Sequence, residues 1–274
     1  MEGYATEGED YSIASMSVPT TVAAFRAEGL VKRFGARRAL DGVGMKVAPG
    51  AAMGLAGANG AGKTTFIKCA LDLCAADAGR VEIFGVDSRQ AAARARLAYL
   101  PERFVPPYYL LGREFLAMTL ELGGAGFVHA REGNDHARMV ALAAELELDP
   151  QALERPVRQL SKGMTQKLGL AACFLLQRDL YVLDEPMSGL DPAGRVAVKS
   201  AMARLNRAGS ALIFTTHVLA DVEELCSSLT VLDRGTVRFC GAPGALCQRF
   251  GEDSLERAFL KCIRSDADAA AVNA

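Results

Sequence analysis

The sequence predicts an α/β fold with a mixed sheet, an antiparallel β subdomain near the N-terminus and an inserted helical subdomain. A glycine-rich loop at Gly57 to Thr65 joins a buried apolar run to a helix-like segment, which is typical of a strand–loop–helix unit. After Gln159, apolar strands again alternate with helices, as they do in sheets covered on both faces. Between these two regions the pattern is helical and glycine-rich, which indicates an insertion.

The bulk composition is that of a globular protein. Half of the 274 residues are apolar and 23% are charged, which is enough apolar side chain to bury a large core. The net charge of −1 shows no excess of basic residues, so we expect no nucleic-acid partner. The longest apolar run, Leu168 to Leu176, is too short to span a bilayer, and no secretory leader pattern opens the chain. We therefore expect a cytoplasmic protein.

Seven cysteines stand at scattered spacings, mostly within apolar stretches. They are Cys69, Cys74, Cys173, Cys226, Cys240, Cys247 and Cys262. None forms a C-x-x-C pair and no histidine stands beside them, so the pattern does not favour a metal or redox site. We expect reduced side chains that pack in the core.

The N-terminal region divides into a tail and a first group of strands. Residues 1 to 22 are acidic, with too few apolar side chains to pack, and we expect them to be disordered. A folded unit is predicted over residues 23 to 245. It begins with strands at Phe25 to Val31, Gly44 to Val47 and Ala51 to Leu55.

The glycine-rich loop leads into a helix, two strands and the helical insertion. The helix is predicted at Phe66 to Leu73 and the strands at Arg80 to Phe84 and Leu97 to Leu100. The helical subdomain is expected at about 103 to 175. Its first two helices are predicted at Gly112 to Leu122 and His136 to Glu147.

The last third of the chain returns to short apolar strands. They are predicted at Leu180 to Leu183, Ala211 to Thr215, Ser228 to Leu232 and Thr236 to Cys240. The last two should pair as a hairpin. Residues 246 to 274 are expected to form a short helical extension and tail.

The loop GANGAGKTT fits the pattern G-x-x-x-x-G-K-[ST], which indicates a site for a di- or triphosphate. Glycines allow successive N–H groups to point at one anion, and the following helix adds the positive end of its dipole. Lys63 can reach the β- and γ-phosphates, and the Thr64 hydroxyl can ligate Mg²⁺. The loop residues assigned to the phosphates are Gly57, Asn59, Gly60, Gly62, Lys63, Thr64 and Thr65. The alternative, a glycine-rich turn arising by chance, is disfavoured by the strand-then-helix context.

Polar side chains follow two of the predicted strands, at the sheet edge where ligands bind in α/β folds. Asp184 and Glu185 follow one strand and His217 follows the next. Asp184 is suited to hold Mg²⁺ with Thr64, Glu185 to activate water, and His217 to contact the γ-phosphate. The two acids could instead cap the next helix. Because the phosphate loop is present, we favour catalysis and assign it to Glu185, His217 and Lys63.

Phe34 lies between the first two predicted strands and has two interpretations. An aromatic ring at this point could stack on a purine. From the bare sequence, a core phenylalanine is the better interpretation.

Six motifs in order resemble the ATP-binding cassette of ABC transporters, a P-loop NTPase fold. They are GANGAGKTT at Gly57, YLPE at Tyr99, LSKGM at Leu160, LYVLDEP at Leu180, SGLD at Ser188 and TTH at Thr215. The resemblance extends from about Phe25 to Gly241. Its specific part is LSKGM followed some twenty residues later by LDEP, because simple P-loop kinases and GTPases lack that signature.

The resemblance implies an ATP-dependent head-to-tail dimer, either with a second copy or with another cassette. Ser161 and Gly163 of one subunit would complete the γ-phosphate site of the other. Asp191 would lie at the dimer seam. Phe34 would stack on adenine, which reverses the interpretation from the bare sequence.

Three departures from the family pattern stand out. Glu102 replaces the usual glutamine at a position that contacts Mg²⁺ and the attacking water, and a carboxylate could still ligate the metal. The signature is LSKGM instead of LSGGQ, so Lys162 adds a cation and Met164 removes an amide. The segment after Gly241 is short, as in cassettes of exporter type.

Two functions remain open. The first is a transporter motor, held at the cytoplasmic face of the membrane by a separate membrane-spanning permease. The second is a soluble cassette protein acting in DNA repair or on ribosomes. We favour the motor, because the chain has one cassette, no sustained heptads and no basic surface.

Overall fold

The structure is a computed structural model that describes residues 22–123 and 135–264. The predicted acidic tail, apart from Val22, lies outside the described residues, as do the glycine-rich stretch after Gly123 and the last ten residues. Within the described ranges, no helix combines the length and the apolar character needed to cross a membrane.

The described strands build two sheets. In chain order they are β1 (Phe25–Phe34), β2 (Arg37–Val47), β3 (Ala52–Ala56), β4 (Ala78–Ile83), β5 (Val86–Asp87), β6 (Leu97–Leu100), β7 (Leu180–Leu183), β8 (Ala211–Thr216), β9 (Ser228–Asp233) and β10 (Thr236–Gly241). One sheet has the order β2-β1-β4-β5 and the other β10-β9-β3-β8-β7-β6.

The helices of the described residues cover and extend these sheets. They are α1 (Lys63–Ala70), α2 (Ala91–Arg94), α3 (Gly112–Leu122), α4 (Asp135–Glu145), α5 (Lys162–Leu175), α6 (Pro192–Arg207), α7 (Leu219–Leu225), α8 (Pro243–Phe250) and α9 (Leu255–Arg264). Two 3-10 helices, Pro150–Glu154 and Val157–Gln159, precede α5.

The four-stranded sheet is antiparallel throughout, which confirms the predicted N-terminal β subdomain. Its second strand is longer than expected, because β2 begins at Arg37 and not at Gly44. The early part of β2 carries charged residues and is interrupted at Gly42, whose φ is 69°. That interruption breaks the alternation of apolar and polar side chains by which a strand is recognised in a sequence.

The six-stranded sheet is mixed, as predicted. Strands β6, β7, β8, β3 and β9 run parallel, and β10 returns antiparallel to β9 as the expected hairpin. Every residue of β3, β7 and β8 is buried, which follows from helices covering both faces of a parallel sheet. Because these strands are parallel, the residues that follow each of them meet at one edge.

Helix α5 joins the helical insertion to this sheet. Ten of its fourteen residues are buried, and it packs against α3, α4 and β6. A Cβ at Gly169 would lie 2.7 Å from the Phe104 ring, so the glycine allows close packing at this point. The insertion and the sheet therefore share one hydrophobic cluster, which contains Leu116, Leu168 and Phe214.

Some boundaries differ from the prediction. Helix α1 starts three residues early, at Lys63, because Gly62 adopts a φ of 112° and ends the loop there. It also ends early, since Asp72 takes a left-handed φ of 57°. The short elements β5, α2 and α7 were not predicted, because segments of this length carry little periodicity. Helix α8 begins at Pro243, three residues before the predicted helical extension.

The cysteines are only partly core residues. None of the seven, all of which lie in the described ranges, forms a disulfide, and Cys69, Cys173 and Cys262 are buried as expected. Cys240 is exposed, so the core expectation is wrong there. It lies on the edge strand β10, where alternate side chains face solvent.

Candidate functional site

The edge where β3, β7 and β8 end opens into a cleft of about 690 Å³. The cleft brings together most of the predicted site residues, from segments that are far apart in the chain. Those lining it are Phe34, Asn59, Gly60, Gly62, Lys63, Thr64, Thr65, Glu102, Asp184, Glu185 and His217. Gly57 lies at the base of the same loop, directly after β3.

Two glycines of the loop have no room for a side chain. A Cβ at Gly57 would lie 2.3 Å from the Leu232 carbonyl oxygen. A Cβ at Gly62 would lie 2.8 Å from the Ala39 carbonyl oxygen, and its φ of 112° is unfavourable for other residues. The loop thus packs tightly on its neighbours and delivers the chain directly into α1, whose first N–H groups suit an anion.

Lys63 places its ammonium group over the loop. Its Nζ donates to the carbonyl oxygen of Gly57 at 2.6 Å and lies 3.4 Å from that of Ala58. A positive charge is therefore held beside the N-terminus of α1, where phosphate oxygens would bind.

Asp184 is buried and held by two hydroxyl groups. Thr64 Oγ1 donates to Oδ2 at 2.9 Å, and Thr215 Oγ1 donates to Oδ1 at 2.6 Å. The whole residue is 1% exposed. These bonds fix an oxygen pair from Thr64 and Asp184 at the base of the cleft.

The donor set fits Mg²⁺ bound together with a phosphate chain. Thr64, Asp184 and the exposed Glu102 offer only oxygen atoms, which hard cations prefer. No three or more carboxylates, histidines or cysteines among the described residues group closely enough to hold a metal. Mg²⁺ usually binds through one or two carboxylates plus substrate phosphates, and these residues match that arrangement.

Glu185 is fixed at both its backbone and its side chain. Its N–H donates to Thr215 Oγ1 at 2.8 Å, and Oε2 lies 3.0 Å from His217 Nδ1. Its φ of 51° is left-handed, which is uncommon for a residue with a side chain and is found disproportionately at functional sites. The geometry places a carboxylate and an imidazole side by side at the mouth of the cleft.

Tyr99 lies beneath the acidic groups, on β6. Burial, together with the nearby negative charges of Asp184 and Glu102, raises the pKa of Tyr99 to about 12. The phenol therefore stays neutral at physiological pH and adds no charge to the site.

Phe34 corrects the bare-sequence interpretation of a core phenylalanine, because it is 54% exposed and lines the cleft. It ends β1 at the hairpin to β2, beyond the packed part of the sheet. Lys32 Nζ lies 5.4 Å from the centre of its ring. The ring is available for stacking, as the family resemblance implies.

Three further residues of the site were not assigned from the sequence. Arg37 lines the cleft opposite Phe34 in the hairpin, and its Nη2 donates to Gly60 O at 3.3 Å. Ser188 also lines the cleft, while Thr215 orients the two acids. Ser188 is the first residue of the SGLD motif and Thr215 is the first residue of TTH, so these motifs could have identified both residues. No motif in the sequence contains Arg37.

Three predicted residues lie outside the cleft. Ser161 caps α5 by accepting the Met164 N–H at 3.2 Å, and Asp191 caps α6 by accepting the Gly194 N–H at 3.2 Å. A Cβ at Gly163 would lie 3.1 Å from the Gly189 carbonyl oxygen, so the two motifs are neighbours. Within one chain Ser161 has the capping role, and its contact with a partner's nucleotide stays a prediction.

Comparison with known proteins identifies relatives along most of the chain. A family model described as ABC transporter matches residues 40–188. The daunorubicin resistance ATP-binding protein DrrA3 of Streptomyces coeruleorubidus is 35% identical over 235 residues, covering 85% of this chain and 72% of the relative. The Nod factor export ATP-binding protein I of Paraburkholderia xenovorans is 33% identical over 239 residues, covering 85% and 76%.

Solved structures share the fold. One described as an ATP binding subunit of an ABC transporter superposes with a TM-score of 0.80 at 30% identity, over 87% of this chain and 99% of that one. A dimeric ATP-binding cassette bound to ADP and phosphate superposes with a TM-score of 0.72 at 19% identity, over 80% and 98%. The second likeness shows the fold alone.

Proposed function

This chain belongs to the ABC transporter family, and from that premise we propose that it is the ATP-hydrolysing motor subunit of an exporter. The observation that carries the proposal is the meeting, in one cleft, of the phosphate loop, the buried Asp184 and the Glu185–His217 pair. A phosphate site, oxygen donors for Mg²⁺ and a positioned base are the parts that ATP hydrolysis requires.

Nucleotide binding uses the two ends of the cleft. Phe34 stacks on the adenine ring, and the loop from Gly57 to Thr65 surrounds the phosphates with N–H groups and the Lys63 ammonium. Thr64, Asp184 and Glu102 would hold Mg²⁺, which would supply positive charge against the phosphates.

Hydrolysis uses Glu185 and His217. Glu185 accepts a proton from a water molecule as the water oxygen attacks the γ-phosphorus, and the bond to the β-phosphate oxygen breaks to leave ADP. His217, held at 3.0 Å from Glu185, orients that carboxylate and contacts the γ-phosphate.

The functional unit is a dimer of cassettes. Ser161 and Gly163 stand at the exposed N-terminus of α5, where free N–H groups favour an anion. In a head-to-tail pair they complete the γ-phosphate site of the partner, with Asp191 at the seam. ATP then binds between two subunits.

The motor acts on a separate membrane-spanning subunit and is peripheral on the cytoplasmic face of the membrane. Two of the relatives are named for drug resistance and for Nod factor export, which supports the export direction. No observation on this chain favours the alternative role in DNA repair or on ribosomes.

The test is Mg²⁺-dependent ATP hydrolysis by the purified chain over a range of protein concentrations. A composite dimer site predicts that the rate per molecule rises with concentration, whereas a self-sufficient monomer has a constant rate. Absence of hydrolysis at every concentration contradicts the proposal. Stimulation by a membrane subunit reconstituted in vesicles tests the transport role.

A further inference from the structure

The backbone of Glu185 is hydrogen-bonded at both its N–H and its carbonyl oxygen. Its N–H donates to Thr215 on β8, while its carbonyl oxygen accepts the Ser188 N–H at 3.0 Å. That carbonyl has a second neighbour on α5. Gln166 Nε2 lies 3.4 Å from it and donates to the Pro186 carbonyl oxygen at 3.0 Å.

Gln166 is an unusual residue for its position. It is 6% exposed on the buried face of α5, where an apolar side chain would normally pack, and polar side chains are seldom buried without a partner. Its amide group has the two carbonyl groups after β7 within reach. The buried amide therefore finds its hydrogen-bond partners in one segment, at the carbonyl groups of Glu185 and Pro186.

The next residue of α5 reaches the other end of the same segment. Lys167, 7% exposed, donates from Nζ to the Glu147 carbonyl oxygen at 2.8 Å and lies 3.8 Å from Asp191 Oδ1. A Cβ at Gly194 would lie 2.7 Å from Lys167 Cε, so that glycine provides the space for the lysine. Of two adjacent residues of α5, Gln166 thus bonds to the start of the segment from Glu185 to Asp191, and Lys167 lies beside its end.

We propose that Gln166 is a positioning residue for hydrolysis, which holds the Glu185 peptide in its left-handed conformation and so aims the carboxylate into the cleft. The inference rests on the proposed function, since it concerns the same reaction. It also has a structural consequence. Helix α5 begins after Ser161, and five residues later Gln166 would connect this helix to Glu185, the general base of the same subunit. A shift of α5 would therefore move Glu185.

The main test is Gln166→Leu, which puts an apolar side chain of comparable size in the same place and removes the amide group. We expect kcat for ATP hydrolysis to fall about 10- to 100-fold, because a misplaced base loses most of its effect. KM for ATP and the nucleotide Kd should stay within about 2-fold, because the phosphate loop is unchanged. The matched control is Gln248→Leu, the same change on the exposed face of α8, and it should leave kcat unchanged.

A double-mutant cycle separates positioning from general damage. If Gln166 acts through Glu185, then Gln166→Leu should have little further effect on the residual rate once Glu185→Gln is present. An equal loss in both backgrounds overturns the inference, as does an unchanged kcat in Gln166→Leu. A wild-type chain without ATPase activity would overturn the proposed function instead, so the two failures are distinguishable.

A second variant covers the case in which Gln166→Leu does not fold. Gln166→Glu keeps the shape of the side chain, but its ionised carboxylate cannot donate to a carbonyl group. When protonated it can donate one hydrogen bond. The ratio of variant to wild-type kcat should therefore rise as the pH is lowered below neutral, and a ratio that does not change with pH contradicts the proposal.

Discussion

Thr215 Oγ1 lies 2.6 Å from Asp184 Oδ1 and accepts the Glu185 N–H at 2.8 Å, so one buried hydroxyl orients both acids of the site. Thr215 is on β8 and the acids follow β7, the adjacent parallel strand. The hydroxyl donates to one acid and accepts from the peptide of the other. No other side-chain type of this size and shape can do both.

We expect Thr215→Val to reduce stability and hydrolysis together. The substitution keeps the shape but leaves a buried carboxylate oxygen and a backbone N–H each without one partner, which costs about 1–3 kcal/mol per unsatisfied group. Thermal unfolding and ATPase rates measure the two effects. Thr119→Val removes a hydroxyl that donates to the Phe115 carbonyl oxygen within α3, and this control should change stability by less than about 0.5 kcal/mol. Equal effects of the two variants would contradict the role of Thr215.

Glu185→Gln should retain ATP binding and lose hydrolysis by about 10²- to 10⁴-fold, because an amide cannot accept the proton of water. We also expect the variant to accumulate as a dimer with ATP and Mg²⁺, since the bound nucleotide is not consumed. Steady-state ATPase assays and size-exclusion chromatography with mass detection measure the two outcomes. Glu223→Gln, on the exposed face of α7, is the control. A Glu185→Gln chain with the wild-type rate would show that another group is the base.

Lys63→Ala should weaken ATP binding about 10- to 100-fold, because a charge-assisted contact with the phosphates is lost. Calorimetric titration of the nucleotide measures the change. Lys68→Ala is a matched control, since Lys68 is on the same helix but is exposed in its last turn. If both variants bind ATP as the wild type does, the phosphate site is not at this loop.

Ser161→Arg tests whether the site is shared between subunits. The arginine adds bulk and charge at the N-terminus of α5, so we expect ATP binding by the monomer to persist while dimerisation and hydrolysis are lost. The control is Ser254→Arg, which changes a serine whose hydroxyl accepts the Arg257 N–H at the start of α9. A loss of cap alone costs about 1 kcal/mol in either helix.

Mixing Ser161→Arg chains with Lys63→Ala chains extends this test. Each chain should be inactive alone, but a mixed dimer has one site with its phosphate loop and facing signature both intact. We expect one ATP bound per mixed dimer, with partial recovery of hydrolysis. Normal hydrolysis by Ser161→Arg alone would rule out the shared site.

The thiols should differ in reactivity with their burial. Burial raises the pKa of Cys173 to about 12 and the pKa of Cys69 to about 11. Because the thiolate is the reactive form, iodoacetamide near neutral pH should modify the exposed Cys240 first and leave these two unmodified. Peptide mass spectrometry over time measures the order. Early modification of Cys173 in the folded chain would contradict the packing of α5.

The same two thiols predict the direction of alkaline instability. Above about pH 8.5, the usual thiol pKa, they lose protons in the unfolded chain and retain them in the folded chain. The folded state then binds more protons, so stability falls as the pH rises from there towards the folded pKa values. Denaturant unfolding at increasing pH measures this slope, and Cys173→Ala should reduce it.

Much of the site could be predicted from the sequence because its chemistry is local. Gly57 and Gly62 are required by the backbone of one loop, and Asp184 and Glu185 directly follow an apolar strand whose bounds were predicted correctly. Parallel strands end at a common edge, so residues after different strands could be expected to meet. The mixed sheet and its hairpin followed from the same reasoning.

Tertiary structure alone decided which side chains hold these groups in place. Thr64 and Asp184 are 120 positions apart and Gln166 and Glu185 are 19 apart, and no periodicity in a sequence encodes such pairings. Phe34 is exposed because β1 extends past the packed sheet, which its neighbours in the chain do not reveal. Local patterns determine what a segment can form, whereas these contacts depend on how the segments pack against one another.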